Sequence, residues 1–260
     1  GRVVAARFLE PVMHACAVER APMCAAPGAS ATAVSELLWG EGFAVLDAAD
    51  GWVWGWSVHD HYVGHVRADA LGPAAPPPTH RVVATHALLF AHASIKAPVL
   101  ARPPLGAPVV AEGGEGDFLA VAGGGCLHRR HVAPWDVPKA DPVAVAARLL
   151  GAPYLWGGRS PAGIDCSGLV QVALGACGIA APRDSDMQRD ALGAAVDPAG
   201  PLRRGDLVFF PGHVGFMADN ATLLHANAHW MAVVAEPLTD VVARLEAAGV
   251  AQPVTAVRRL

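Results

Sequence analysis

Two proline-dense stretches cut this chain into three, and no regular element can run through either. The first, GPAAPPPTH from Gly72 to His80, holds four prolines in nine residues. Proline fixes φ and lacks an N–H donor, so this stretch resists helix and sheet and reads as a stiff extended linker. The second, HVAPWDVPKADP from His131 to Pro142, adds three more prolines. Each piece between these breaks must therefore close a core of its own. A chain of 260 residues that is 53 % hydrophobic has the material for more than one core. Charged residues make up 16 %, and the net charge is −4 with no long basic tract. That balance excludes a disordered chain and argues against nucleic acid as the partner. No apolar stretch approaches the roughly 18 residues of a membrane span, so no membrane partner is expected.

The first piece, 14–72, reads as short strands: SELLWGEGFAVLDA, GWVWGWSVH and HYVGHVRADAL. Strong β formers alternate with turn residues, which predicts a small barrel. Trp52, Trp54 and Trp56 fall at period two and so share one strand face. Packing inside the barrel is the expectation for them, with an aromatic wall beside a groove as the alternative. His59, His61 and His65 share a parity too, but a metal site is not expected. In HDHYVG, His61 stands where a glycine would ease the turn. The second piece, 80–135, repeats the style, and its ending CLHRRHVAPW resembles the earlier YVGHVRADAL. The third piece, 140–260, opens with helices and continues as a run of strands. Asp141 and Pro142 suit the N-cap and first position of a helix. DLVFF, HVGFMA, TLLHA and MAVVAEPL read as sequential antiparallel strands, and LTDVVARLEAAGV as a helix capped by Thr239 or Asp240. This is an α+β layout.

The chemistry centres on YLWGGRSPAGIDCSGLVQVAL, Tyr154 to Leu174, where a glycine-rich loop turns into a helix at Cys166. Free N–H groups and the helix dipole favour a negative charge at that point, so a lowered thiol pKa is expected. Cys177, late in the same helix, has no such donors and reads as core. A thiol nucleophile needs a base. His213 begins a strand after a Pro-Gly turn, and His225 ends the next strand-like run. Adjacent antiparallel strands bring two such side chains together, one as base and one as its orienting partner. Cys16, Cys24, Cys126, Cys166 and Cys177 form an odd, scattered set with no disulfide or zinc spacing. The opening GRVVAARFLEPVMHACAVERAP lacks an apolar core followed by a cleavage site. A reduced compartment, the cytoplasm, is the expectation from both.

The succession YLWGG, IDCSGLVQ, PRDSDMQ, RRGDLVFF, HVGFM and LLHA resembles the NlpC family of papain-like cell-wall cysteine peptidases. The two front pieces are similar to bacterial SH3 domains in tandem. The resemblance implies an α+β chain of two small all-β SH3-like barrels, 14–72 and 80–135, before a papain-like catalytic domain at 140–260 with helices packed on an antiparallel sheet. It implies Cys166 as nucleophile, His213 as general base and acid, and His225 as the orienting residue. Tyr154 then assists the oxyanion or holds substrate. The implied substrates are peptidoglycan stem peptides, cut between γ-D-glutamate and a diamino acid, usually meso-diaminopimelate, with no metal or cofactor. Within the first barrel, Glu41 and Tyr62 match positions that face the active site in murein-peptide-recycling members and read the free amine of L-alanine, with Asp60 a second acidic candidate. Asp165 and Ser167 flank the thiol and divide between capping and substrate contact. Asp184 and Ser185 divide in the same way. Arg183 is expected to meet a substrate carboxylate. An exported lytic hydrolase anchored by its SH3-like domains is the alternative, and a degenerate binding module the third reading.

Overall fold

The structure, a computed structural model, describes residues 9–260. The first part of the N-terminal stretch read above for a leader, residues 1–8, lies outside the described residues.

The front piece forms one seven-stranded antiparallel sheet. Its spatial order is Ala33–Leu38, Arg20–Cys24, Val63–Arg67, Trp52–Ser57, Gly42–Ala49, Val12–Cys16, Leu71–Pro73. Met23, Leu37, Phe43, Val53 and Val66 meet in its core. The three tryptophans do share a face, but it is the outer one. Val53 and Ser57 point inward and are buried, whereas Trp54 is 39 % exposed. The inner face has no room for indoles at this strand: a Cβ on Gly55 would stand 1.9 Å from the Ala44 carbonyl oxygen. Arg67 instead covers the outer face of Trp52, 5.9 Å from the ring centre. His61 adopts the left-handed φ of 59° that its turn demands of a non-glycine residue.

The second piece builds two small sheets around Val82, Leu89, Val109, Leu119, Leu127 and Val132. The similarity of the two endings is structural as well. Val63–Arg67, a 3₁₀ turn at Ala68–Ala70 and Leu71–Pro73 succeed one another in the first piece. Cys126–His128, a 3₁₀ turn at Arg129–His131 and Val132–Pro134 do so in the second.

The third piece carries four helices, α1 (Pro142–Ala147), α2 (Cys166–Ala176), α3 (Ser185–Ala191) and α4 (Leu238–Ala247). Asp141 caps α1 as expected, accepting from the Val143 and Ala144 N–H groups. The cap of α4 differs: it begins at Leu238 after Pro237, with no side chain bonded at its start. Helix α2 is apolar nearly all round, the signature of a buried helix. Leu169 and Leu174 are fully buried, each contributing about 1.5–3 kcal/mol. Gly178, at φ 75°, ends the helix, and the Ile179 N–H returns to the Leu174 carbonyl. The helix packs on a six-stranded antiparallel sheet ordered Ala194–Val196, Ala256–Arg259, Leu207–Phe210, His213–Met217, Thr222–Asn227, Ala232–Pro237. The four predicted strands are consecutive in it. Ala256–Arg259, unread in the sequence, inserts between the first edge strand and the rest.

Both front pieces grip α2. Arg81, 7 % exposed, donates to the Gly175 carbonyl at 2.6 Å and to the Trp135 carbonyl, and lies 4.4 Å from the Trp135 ring centre. A cation at the carbonyl end of a helix also matches the dipole there. Among the described residues no helix is long and apolar enough to cross a membrane.

Candidate active site

Cys166 is the first residue of α2, and Asp165 is its N-cap. One Asp165 oxygen accepts from the Gly168 N–H at 2.7 Å, the other from the Gly157 N–H at 2.8 Å. The same carboxylate takes a two-pronged bond from Arg183, at 3.0 and 2.6 Å. It thereby ties the glycine loop to the helix start. Gly168 must be glycine, because a Cβ there would lie 2.4 Å from the Gly158 carbonyl oxygen.

The thiol environment departs from expectation. Burial pushes the Cys166 pKa up to about 11, and the adjacent Asp165 charge adds to the rise. The Val214 and Ser167 N–H groups and Arg183 pull the other way without overcoming it. With 5 % exposure, desolvation outweighs the helix-end field. The Val214 N–H seats the sulfur against the His213–Val214 peptide.

His213 Nε2 lies 2.7 Å from His225 Nδ1, so the pairing predicted across adjacent strands is present. Burial, then His225, presses the His213 pKa down to about 3. Behind them stands a group the sequence reading missed. Glu236 Oε1 lies 2.9 Å from His225 Nε2, and Arg244 of α4 donates to the same carboxylate at 2.8 and 3.2 Å. Burial opposes ionisation of Glu236, but Arg244, His225 and Trp230 hold its pKa at about 2. The faint signal was the AEPL end of a strand followed by a helix with one arginine. Tyr154 packs against the core that holds Cys166. Burial, then the Cys166 charge, raises its phenol to about 12, so it stays a donor.

Several flanking residues take other roles. Arg183, 2 % exposed, is turned into the fold: besides Asp165 it donates to Ser167 Oγ at 2.8 Å and Ser35 Oγ at 3.1 Å. Four of its five N–H groups are bonded inside the fold and the group is buried, so it holds the scaffold instead of meeting a substrate carboxylate, which corrects that expectation. Asp165 and Ser167 are held in the same buried cluster, so their capping and packing reading fits. Glu41 is corrected too. Its carboxylate accepts from Arg159 at 2.8 and 3.1 Å and from the Leu38 N–H at 2.8 Å. Burial would raise its pKa, but Arg159 holds it down. It is a buried ion-pair partner whose charge Arg159 already balances.

Tyr62 does face the catalytic domain. Its hydroxyl donates to both Asp184 oxygens, at 3.1 and 3.2 Å. Asp184 is the N-cap position of α3 but makes no capping bond. Burial raises its pKa. Ser185 follows at the helix start, beside a hollow of about 110 Å³ that reaches Phe210 and Gly212, next to His213. Asp60 accepts from Gln171 of α2 at 2.8 Å and lies 3.2 Å from His59. A larger cavity of about 290 Å³, between the front pieces and the far side of α2, contains neither the thiol nor the histidines. Among the described residues no cluster of three His, Cys, Asp or Glu side chains could hold a metal ion.

A cysteine at a helix start and a pair of bonded histidines on an antiparallel sheet are the groups that a papain-like cysteine hydrolase needs. The family model described as NlpC/P60 family matches residues 151–254, and that of the bacterial dipeptidyl-peptidase Sh3 domain matches residues 23–71. The chain thus carries a domain similar to the NlpC/P60 family with one similar to a bacterial SH3 domain in front of it. Dipeptidyl-peptidase 6 of Lysinibacillus sphaericus is 36 % identical over 33 % of this chain and 31 % of its own length. The gamma-D-glutamyl-L-lysine dipeptidyl-peptidase of Bacillus subtilis is 34 % identical over 39 % of this chain and 36 % of its own. The chain therefore spans about a third of these curated relatives. The crystal structure of an NlpC/P60 family protein from Bacillus cereus superposes with a TM-score of 0.77, covering 95 % of this chain and 99 % of that one at 22 % identity. That likeness is one of fold, and it extends across the front pieces.

Proposed function

We propose that this protein is a cysteine endopeptidase that hydrolyses the bond between γ-D-glutamate and the diamino acid of free peptidoglycan stem peptides. Cys166 is the nucleophile, His213 the base and acid, and His225 its orienting partner. The relatives named above support the bond class, and the L-lysine in one of their names makes lysine a candidate beside meso-diaminopimelate. The preference for free peptides rests on one observation: the Tyr62 hydroxyl of the SH3 domain is bonded to Asp184 at the edge of the site. A half-buried carboxylate with a raised pKa gains most from a cation beside it. Asp184 and Tyr62, rather than Glu41, would receive the ammonium of an N-terminal L-alanine, with Ser185 alongside. The second front piece, 80–135, is a further SH3-like barrel in this reading, and 140–260 the catalytic domain.

The resting pair is neutral, thiol and imidazole. His213 takes the thiol proton as sulfur attacks the γ-carbonyl. The Cys166 N–H, unpaired at the first turn, and the Tyr154 hydroxyl receive the oxyanion. His213 then protonates the leaving amine, and water attacks the thioester by the same route. Free peptides as substrate go with a cytoplasmic enzyme acting in wall recycling.

Mass spectrometry of products tests this. Release of L-Ala-γ-D-Glu from a free tripeptide, loss of cleavage on N-acetylation, and no activity in Cys166→Ala are expected. Equal cleavage of the acetylated peptide defeats the amine reading. Clearing of intact sacculi points to the exported lytic alternative.

A further inference from the structure

We propose that Glu236, backed by Arg244, is a positioning residue of the catalytic base: it dictates which nitrogen of each histidine carries the proton. The inference rests on the reading of His213 as the base. The two rings meet through His213 Nε2 and His225 Nδ1, at 2.7 Å. That contact leaves Nδ1 as the only nitrogen His213 can offer to Cys166. One proton lies between the rings, and it can belong to either. If His225 donates it, a neutral His213 carries its own proton on Nδ1 and cannot accept one from a thiol. If His213 donates it, Nδ1 is bare and the base is ready.

The decision falls at the far side of His225. Its Nε2 has two neighbours that ask for opposite states. Asn227 Nδ2, at 3.3 Å, would donate to a bare nitrogen. Glu236 Oε1, at 2.9 Å, can only accept, since Arg244 keeps it ionised. A short charge-assisted bond is about twice as strong as a neutral one. Glu236 therefore draws the proton of His225 to Nε2, leaves His225 Nδ1 as an acceptor, and obliges His213 to donate from its own Nε2. An asparagine at position 225 would present an oxygen without ambiguity. A histidine there is symmetric enough to be wrong, and the carboxylate removes that choice. The Asn227 oxygen is itself bonded to the His229 N–H, so the amide is not free to turn over.

The charged and titratable groups acting on His213 are His225 and Glu236 from the neighbouring strands and Arg244 from α4, while the Cys166 sulfur is held by the N–H of the adjacent Val214. The Glu236 charge raises the His213 pKa while His225 and Arg244 lower it. Glu236→Gln should lower kcat by about tenfold or more with KM within about twofold, since general base catalysis is worth roughly 10²–10⁴. The acid limb of kcat/KM should also move to lower pH. A residue serving only the fold would move neither. Nitrogen-15 spectra of the wild-type protein should put the proton on Nε2 of both rings, which decides the matter even if the variant does not fold. A proton on Nδ1 of either ring, or a folded Glu236→Gln variant with wild-type kcat and acid limb, overturns the inference. His213→Ala separates this from the underlying reading: if it keeps activity, the base assignment itself fails, whatever Glu236 does.

Discussion

Single side chains around the thiol divide into those that face outward to chemistry and those that hold the scaffold. Arg183 belongs to the second kind. Its pair with Asp165 is 2 % and 7 % exposed, so neither charge has solvent to fall back on. Arg183→Met leaves Asp165 buried and unpaired, which costs about 3–5 kcal/mol. Urea titration should show that loss in the unfolding midpoint. A purely substrate-contacting arginine would instead raise KM with the midpoint unchanged. This is also where sequence reading reached its limit. The helix start at Cys166 and the pairing of His213 with His225 were legible because each sits in a short local pattern, a loop entering a helix or two consecutive strands. Glu41 and Arg183 were misread for one reason. Their partners, Arg159 and Asp165, lie 118 and 18 residues away, and only folding reveals that a charge is already neutralised. Glu236 was missed because its role depends on strand pairing, with His225 opposite Val234.

At the scale of elements, the histidine strands are packed too closely to tolerate a methyl group. A Cβ on Gly215 would lie 2.9 Å from both His225 Cβ and a Leu223 methyl. Gly215→Ala must therefore push the Thr222–Asn227 strand outward by a few tenths of an ångström. General-base geometry is sensitive to such shifts. The expected outcome is a fall of about tenfold or more in kcat with little change in KM; steady-state kinetics with wild-type activity would show that the strand absorbs the strain elsewhere. The caps of α1 and α2 and the short apolar runs of the four sheet strands could be read locally. The strand Ala256–Arg259 could not, since VTAVRRL has no alternation that marks it. The outward turn of the tryptophan face was hidden for a related reason: period two reveals that residues share a face, not which face is inside.

The whole molecule carries His213 as a buried, neutral imidazole. In the unfolded chain His213 titrates near its ordinary 6.5, and in the fold its pKa is down at about 3. Glu236 drops from 4.5 to about 2. Both shifts mean that the unfolded state binds protons first as pH falls, so both contribute stability that is complete above about pH 6.5 and drains away below it. The His213 share fades between about 6.5 and 3, and the Glu236 share between about 4.5 and 2. Melting temperature followed from pH 7 to pH 4 should decline; a flat profile would contradict the burial assigned to His213.

Helix α2 is fastened at its start through Arg183 to Ser35 of the first barrel and at its end by Arg81 of the second piece. Beside it, Arg159 is neutralised by Glu41, which also belongs to the first barrel. For protein engineering this reverses the usual view of modular parts. The peptidase portion is not a cartridge that can be lifted out and fused elsewhere. Transplanting it would strand an arginine with no counter-charge and leave the last turn of the helix untethered. A minimal version would have to be redesigned at those two places before its chemistry could be studied alone.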